Sequence, residues 1–219
     1  MKQIITKSLQ DMLSKDVILF VIKIGFISLV LTLLFAWNMW GLVTEMIASY
    51  LSWIPWEWLQ TSGASVGTFL LTYMLFIIMV SLLTSLQSEK LLISLAKKRY
   101  PDVPVAGSAN MATSLLLTLK ASIVFLLLFI ITLPLLFIPI FGQVWVLYLW
   151  SVLLKEPTIY DVAALFIKEK KIRKEKKKKT SLLAMIAALF NYIPLINIFA
   201  PVFAQILFLH HILGKENNI

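Results

Sequence analysis

Lys23 is the only charged residue between Val17 and Trp37, and an ionisable group inside an apolar span marks an ion or substrate path unless its stem reaches the interface. It stands six residues after Val17, about 9 Å at helical rise, so snorkelling to the nearer membrane surface is the stronger reading. Lys15 precedes the same apolar run. Gln143 follows Gly142, and Asn197 stands four residues ahead of Pro201; both pairs sit where a proline-broken apolar block resumes. A helix that starts at membrane depth turns unpaired N–H groups and the positive end of its dipole inward, which suits an anion. Asn191 and Gln205 flank the second break. Lys15, Lys23, Gly142, Gln143, Asn191, Asn197 and Gln205 are therefore the candidate substrate path. The plainer alternative is that the amides satisfy broken backbone or link helices.

Other polar residues carry less chemistry. His210 and His211 are adjacent, hence about 100° apart on a helix, and do not share a face as two ligands at i and i+4 would. They read as interface anchors, and no metal set or cofactor is expected. The run of Lys168, Lys170, Lys171, Arg173, Lys174, Lys176, Lys177, Lys178 and Lys179, with two glutamates among them, suits an anionic lipid surface or simply a solvated loop. No nucleophile elbow, phosphate-binding glycine loop, HExxH motif or paired intramembrane carboxylate is present, so no enzyme is expected. No nucleic-acid-binding module is visible either.

The elements that position these residues follow from composition. Of 219 residues, 60% are hydrophobic and 14% charged, with a mean hydropathy of +0.89; the apolar residues form long charge-free blocks that a water-facing surface could not accommodate. A single all-α membrane domain, 1–219, is the expectation. Val17–Trp37 and Val66–Leu86 each have the length of one crossing. The first is too long for a signal-peptide core and ends in bulky residues, so it stays in the mature chain. Between them, 38–62 holds Trp40, Trp53, Trp56 and Trp58 and no Lys or Arg, which predicts an external interfacial loop, part of it an amphipathic helix interrupted by Pro55.

The segment 88–120 is polar and basic, with a helix expected to end near Lys98 and a turn at Tyr100-Pro101. Two charge-free blocks follow, 121–154 and 180–214, separated by the basic segment 155–180. Pro134, Pro139 and Gly142 break the first block; Pro194, Asn197 and Pro201 break the second. Each is expected to be a helical hairpin with arms too short to cross, entering and returning on one side as a re-entrant pair or as short thin spans. Phe137-Ile138-Pro139-Ile140-Phe141 is echoed by Tyr192-Ile193-Pro194-Leu195-Ile196, a weak internal repeat. Lys and Arg concentrate before the first span, in 88–120 and in 155–179, which predicts cytoplasmic termini and basic segments. Backbone broken at membrane depth needs neighbours, so a homo-oligomer is expected.

The stretch from Asn191 to Ala204, Asn-Tyr-Ile-Pro-Leu-Ile-Asn-Ile-Phe-Ala-Pro-Val-Phe-Ala, resembles the closing signature of the CysZ-like sulfate permease family, also called the etoposide-induced 2.4 domain family. Pro139–Leu154 resembles the arm that precedes it. Tyr160-Asp161 occupies the place where members often carry a tyrosine and an aspartate. The resemblance is carried by about Ser94 to Leu213; before that it rests on hydropathy and segment order. It implies two long helices, two partly penetrating hairpins, an oligomer and, in the bacterial permease branch, inward sulfate movement for cysteine synthesis. The permeases carry a sulfate-binding glycine and paired arginines at the first long helix. Here the corresponding stretch, about Ser8 to Val21, has Ile18 and Leu19 at the arginine positions, with Lys15 and Lys23 the nearest cations. An ammonium does not reproduce the bidentate fork of a guanidinium.

These readings converge on a multi-pass protein of a bacterial inner membrane that passes a small inorganic anion, sulfate foremost, with membrane lipids as surroundings. The alternative is a non-transporting organiser that binds anionic lipid or a partner protein.

Overall fold

The structure is a computed structural model that describes residues 2–167, 180–193 and 196–214, with backbone alone at 136 and 137. The basic run from Lys168 to Lys179 and the break residue Pro194 lie outside the described residues. Regular structure among the described residues is helical throughout, and four helices are long and apolar enough to cross a membrane. The expected single domain divides into two compact units, Lys23–Val80 and Met1–Ile22 with Ser81–Ile219.

The Lys23–Val80 unit is a pair of antiparallel helical segments, taken from α2 (Lys15–Tyr50) and α3 (Glu57–Gln87). The interfacial loop expected over 38–62 is corrected: α2 continues unbroken to Tyr50, and only 51–56, around Pro55, connects the helices. Nothing in 38–50 stops a helix except a tolerated Gly41. Asn38 and Thr44 donate back to the carbonyls of Leu34 and Trp40, which keeps those polar side chains on the helix surface. Close approach comes from small residues, since a Cβ on Gly67 would meet the Ile47 side chain at 3.2 Å and one on Gly63 would meet Leu51 at 3.1 Å. Thr44 and Thr68 hydroxyls, 2.9 Å apart, link the two segments. At 1.5 Å per residue α2 is about 54 Å long, more than the roughly 30 Å hydrocarbon layer, so its Trp-bearing end extends past the core or the helix tilts.

In the larger unit, α1 (Lys2–Met12) and α4 (Glu89–Arg99) are short. α5 (Met111–Ile131) and α6 (Phe141–Phe166) pack along each other as the first hairpin, joined by a 3-10 turn, Leu133–Phe137. Their break falls where Pro134 and Pro139 stand. The arms, however, are longer than expected. Helix begins at Met111, inside the segment expected to be cytoplasmic, and Asn110 caps it by accepting from the Thr113 N–H at 3.0 Å. α6 runs through Lys155 and Pro157 to Phe166. These helices measure about 31 Å and 39 Å, so neither is a short half-helix. Ile140, just before α6, has φ 65° and ψ −56°, the centre of a γ-turn that the Phe141 N–H closes onto the Pro139 carbonyl at 2.7 Å, a rare and strained conformation for a β-branched residue.

The second hairpin keeps its expected brevity. α7 (Thr180–Ala188) is followed by 3-10 turns Leu189–Tyr192 and Ile196–Phe199 and then by α8 (Ala200–Leu213). Every residue of α8 is buried, and a helix apolar around most of its circumference belongs at a centre. α1, α4, α6 and α7 pack around it. On α5, in contrast, Leu116, Leu119, Ile123, Leu127 and Ile130 are exposed, as a lipid-facing helix requires, while Phe125 is buried.

Candidate functional site

Two aspartates are buried in the larger unit. Asp161 lies in the last turns of α6, beyond Lys155 and outside the four candidate spans, and is 3% exposed. It stands in Ile159-Tyr160-Asp161-Val162-Ala163-Ala164, where period 3.6 turns its side chain toward the centre of the unit. Ser85, near the end of α3, donates to Asp161 Oδ2 at 2.5 Å. Ser114, in the first turn of α5, donates to Oδ1 at 2.7 Å. Gln205 on α8 brings its Nε2 to 3.4 Å from Oδ2, while its Oε1 is buried without a partner. No Lys, Arg or His bonds this carboxylate among the described residues. Burial therefore pushes Asp161 up to about 6, and the donated bonds from Ser85, Ser114 and Gln205 only partly offset it.

Beside Asp161 is a cavity of about 50 Å³, lined by Ser85, Ser88, Glu89, Ser114 and Asp161 among apolar neighbours. It lies where α3 passes into α4 and where α5 begins, so the aspartate sits one short step from the ends of the helices. A space of that size holds a few water molecules. Its polar wall consists of oxygens and carries negative charge.

Asp11, on α1, is as deeply buried but differently partnered. Arg99, the last residue of α4, donates from Nη2 to Oδ1 at 2.5 Å and from Nε to the same oxygen at 2.9 Å. His210 Nε2 lies 3.0 Å from Oδ2, and the Tyr100 hydroxyl lies 2.8 Å from His210 Nδ1. A carboxylate only accepts, so Nε2 carries the proton and Nδ1 accepts from the tyrosine. The bond to Asp11 raises the Arg99 guanidinium, and burial, chiefly, raises Tyr100. This chain of groups fastens α1 and α4 to α8, and His210 is a core linker rather than the interface anchor expected.

The expected path residues distribute over both units. Gly142 is buried in the first turn of α6, its N–H donating to Ile138 O at 2.8 Å. The Gln143 side chain is exposed, and its carbonyl accepts from the Tyr192 hydroxyl. Asn191 and Asn197 are buried in the two 3-10 turns, and the Asn197 N–H donates to Ile193 O at 3.1 Å. The breaks of the two hairpins thus meet at one end of this unit, with Gln143, Tyr192 and Asn191 adjacent. Gln205 joins the Asp161 group instead. Lys15 and Lys23 have exposed side chains on α2. Asp11, Arg99, Ser85 and Ser114 were not legible as a site. The one available signal was a lone aspartate in an apolar helical run at 159–167.

A family model described as Sulfate transporter CysZ/Etoposide-induced protein 2.4 matches residues 4–201. No curated protein and no solved structure matches the chain.

Proposed function

Because the chain belongs to the sulfate transporter CysZ/etoposide-induced protein 2.4 family, we propose that it is a permease or channel for a small inorganic anion, sulfate foremost, in a bacterial inner membrane. The observation that carries this reading is the family match across 4–201 in a chain with four helices able to cross a bilayer. The convergence of the hairpin breaks is consistent with it. The start of α6 and the turns that lead into α8 approach each other through Tyr192 and Gln143. The positive dipole end of α6 then lies beside the 3-10 turn that carries the Asn191 amide. Lys15 and Lys23 add positive charge on α2. The cavity beside Asp161 is not part of this path, since Asp161 and Glu89 would repel a dianion from a space of about 50 Å³.

In this reading the termini and basic segments face the cytoplasm, and the protein acts as a homo-oligomer. Labelled-sulfate uptake into proteoliposomes, beside empty liposomes and with chloride and phosphate as competitors, tests it. Saturable sulfate-selective uptake is expected, and Asn197→Leu is expected to lower it about tenfold without loss of the folded protein. Uptake no faster than into empty liposomes, with the protein shown to be inserted, would overturn the anion reading in favour of a membrane organiser.

A further inference from the structure

The Asp161 group consists of a buried carboxylate, two hydroxyls and one amide, with no Lys, Arg or His bonded to it among the described residues. Ser85 and Ser114 each spend their one proton on the carboxylate, which leaves lone pairs on both hydroxyl oxygens. Gln205, 2% exposed, aims its amide at Asp161 and carries a buried Oε1 with no partner. Amide nitrogen and oxygen are assigned from surroundings rather than seen. With the amide turned, Oε1 would face the carboxylate at a distance that only a positive charge between them makes favourable. The adjoining cavity of about 50 Å³, which Ser88 and Glu89 line together with Ser85, Ser114 and Asp161, supplies room for an ion on the side of the carboxylate that faces away from Gln205 or for its approach from the helix ends.

We infer that Asp161, Ser85, Ser114 and Gln205 form a binding site for a small monovalent cation, sodium foremost, reached through the cavity beside Glu89. Hard cations take oxygen ligands, and this set offers two carboxylate oxygens, two hydroxyls and one amide carbonyl. The formal charge of the set is that of one carboxylate, which one monovalent ion neutralises; sites for calcium or magnesium gather several carboxylates or retain substrate phosphates. An ion here would also join α3, α5, α6 and α8, four elements that otherwise meet at an uncompensated buried charge. The inference does not rest on the anion reading. A protein that moves no sulfate could still hold this ion, and the test therefore reads binding rather than flux.

The purified full chain in neutral detergent is followed by thermal unfolding while choline chloride is replaced by sodium, lithium or potassium chloride at constant ionic strength, near pH 8. Sodium is expected to raise Tm saturably by about 5 °C, with potassium less effective. Asp161→Asn is expected to remove the response, and Gln205→Leu to shift its midpoint to at least about tenfold higher sodium. Ser114→Ala serves as the milder variant should Asp161→Asn fail to fold, with the same expected direction. Retention of radiolabelled sodium by the unmodified chain, competed by unlabelled sodium and not by choline, gives a second readout. Equal Tm in all four salts would overturn the inference, as would a sodium response that persists in a folded Asp161→Asn or Ser114→Ala protein. A Tm that follows pH alone would assign the site to a proton instead.

Discussion

Asp11 and Asp161 are two aspartates of the same unit, each almost fully buried, and the chain treats them in opposite ways. Asp11 receives a guanidinium and an imidazole, with a tyrosine behind the imidazole. Asp161 receives two hydroxyls and one distant amide. In the first case a formal charge of opposite sign meets the carboxylate, and the remaining lone pairs are occupied. In the second, hydrogen bonds stabilise the anion without neutralising it, and burial dominates. A fully paired charge can act as a fastener. An unpaired one is costly for a fastener, and its persistence next to a cavity points to a ligand or a proton.

The comparison breaks most readily at Arg99. Removing one partner of a buried pair leaves the other charge stranded, typically at about 3–5 kcal/mol. The partial exposure of Arg99, at 33% of its side chain, and the survival of His210 beside Asp11 place the expected loss for Arg99→Met near the lower figure, about 3 kcal/mol. Thermal unfolding in detergent should show this as a Tm lowered by about 6–12 °C. Combining Arg99→Met with Asp11→Leu should restore much of the loss, because an apolar replacement of both partners carries no stranded charge. Asp161→Asn alone should leave Tm within about 2 °C in sodium-free buffer near pH 4, where the wild-type carboxyl is protonated as well, since Ser85 and Ser114 can still donate to the amide oxygen. Equal losses for Arg99→Met and Asp161→Asn would erase the distinction between the two aspartates.

Titration sharpens the same contrast. The Asp161 carboxyl, ordinarily at 3.8, is raised to about 6 in the folded protein. A raised acid favours its protonated form when folded, so its contribution to stability is fully present below about 3.8 and is lost as pH rises through about 6. Glu89 lines the same cavity and is present in both proteins compared. The difference between wild type and Asp161→Asn therefore isolates Asp161. Without sodium, wild type should lose up to about 2 kcal/mol relative to the variant between pH 4 and pH 7, discounted for water in the cavity. Denaturant midpoints across that range check it; a difference that stays flat would mean that Asp161 is no more perturbed than a surface carboxylate.

Much of the fold was legible before any coordinates because membrane helices announce themselves by length and hydropathy. Proline placed the break of the first hairpin, at Pro134 and Pro139, since it removes a donor wherever it stands. The ends of helices were less legible. Charge was read as loop at 38–62 and 111–120, yet Glu45 and Lys120 ride on continuous helix, because nothing there breaks the backbone hydrogen-bond ladder. The polar groups were hardest. Ser85 and Asp161 are 76 residues apart, and Asp11 and His210 are 199 apart; periodicity within a helix says which face a residue occupies but not which helix that face meets. Gln205 was singled out as a polar residue in an apolar arm, and its amide lies 3.4 Å from Asp161 rather than at the hairpin breaks.

Tyr100 tests how far the Asp11 side depends on its outermost member. Its hydroxyl donates to His210 Nδ1, which leaves Nε2–H to face Asp11, so the tyrosine fixes the imidazole in the tautomer that the carboxylate requires. Tyr100→Phe keeps the ring against the imidazole, at 5.7 Å between centroids, and removes only the donor. A buried acceptor left unpaired costs about 1–3 kcal/mol, and the lower end applies because Nε2 retains Asp11 and the ring contact survives. A Tm lowered by about 2–4 °C is expected, with sodium retention at Asp161 unchanged. If Tyr100→Phe abolished sodium retention while leaving Tm intact, the two carboxylates would be parts of one site, joined through α8, which carries both His210 and Gln205.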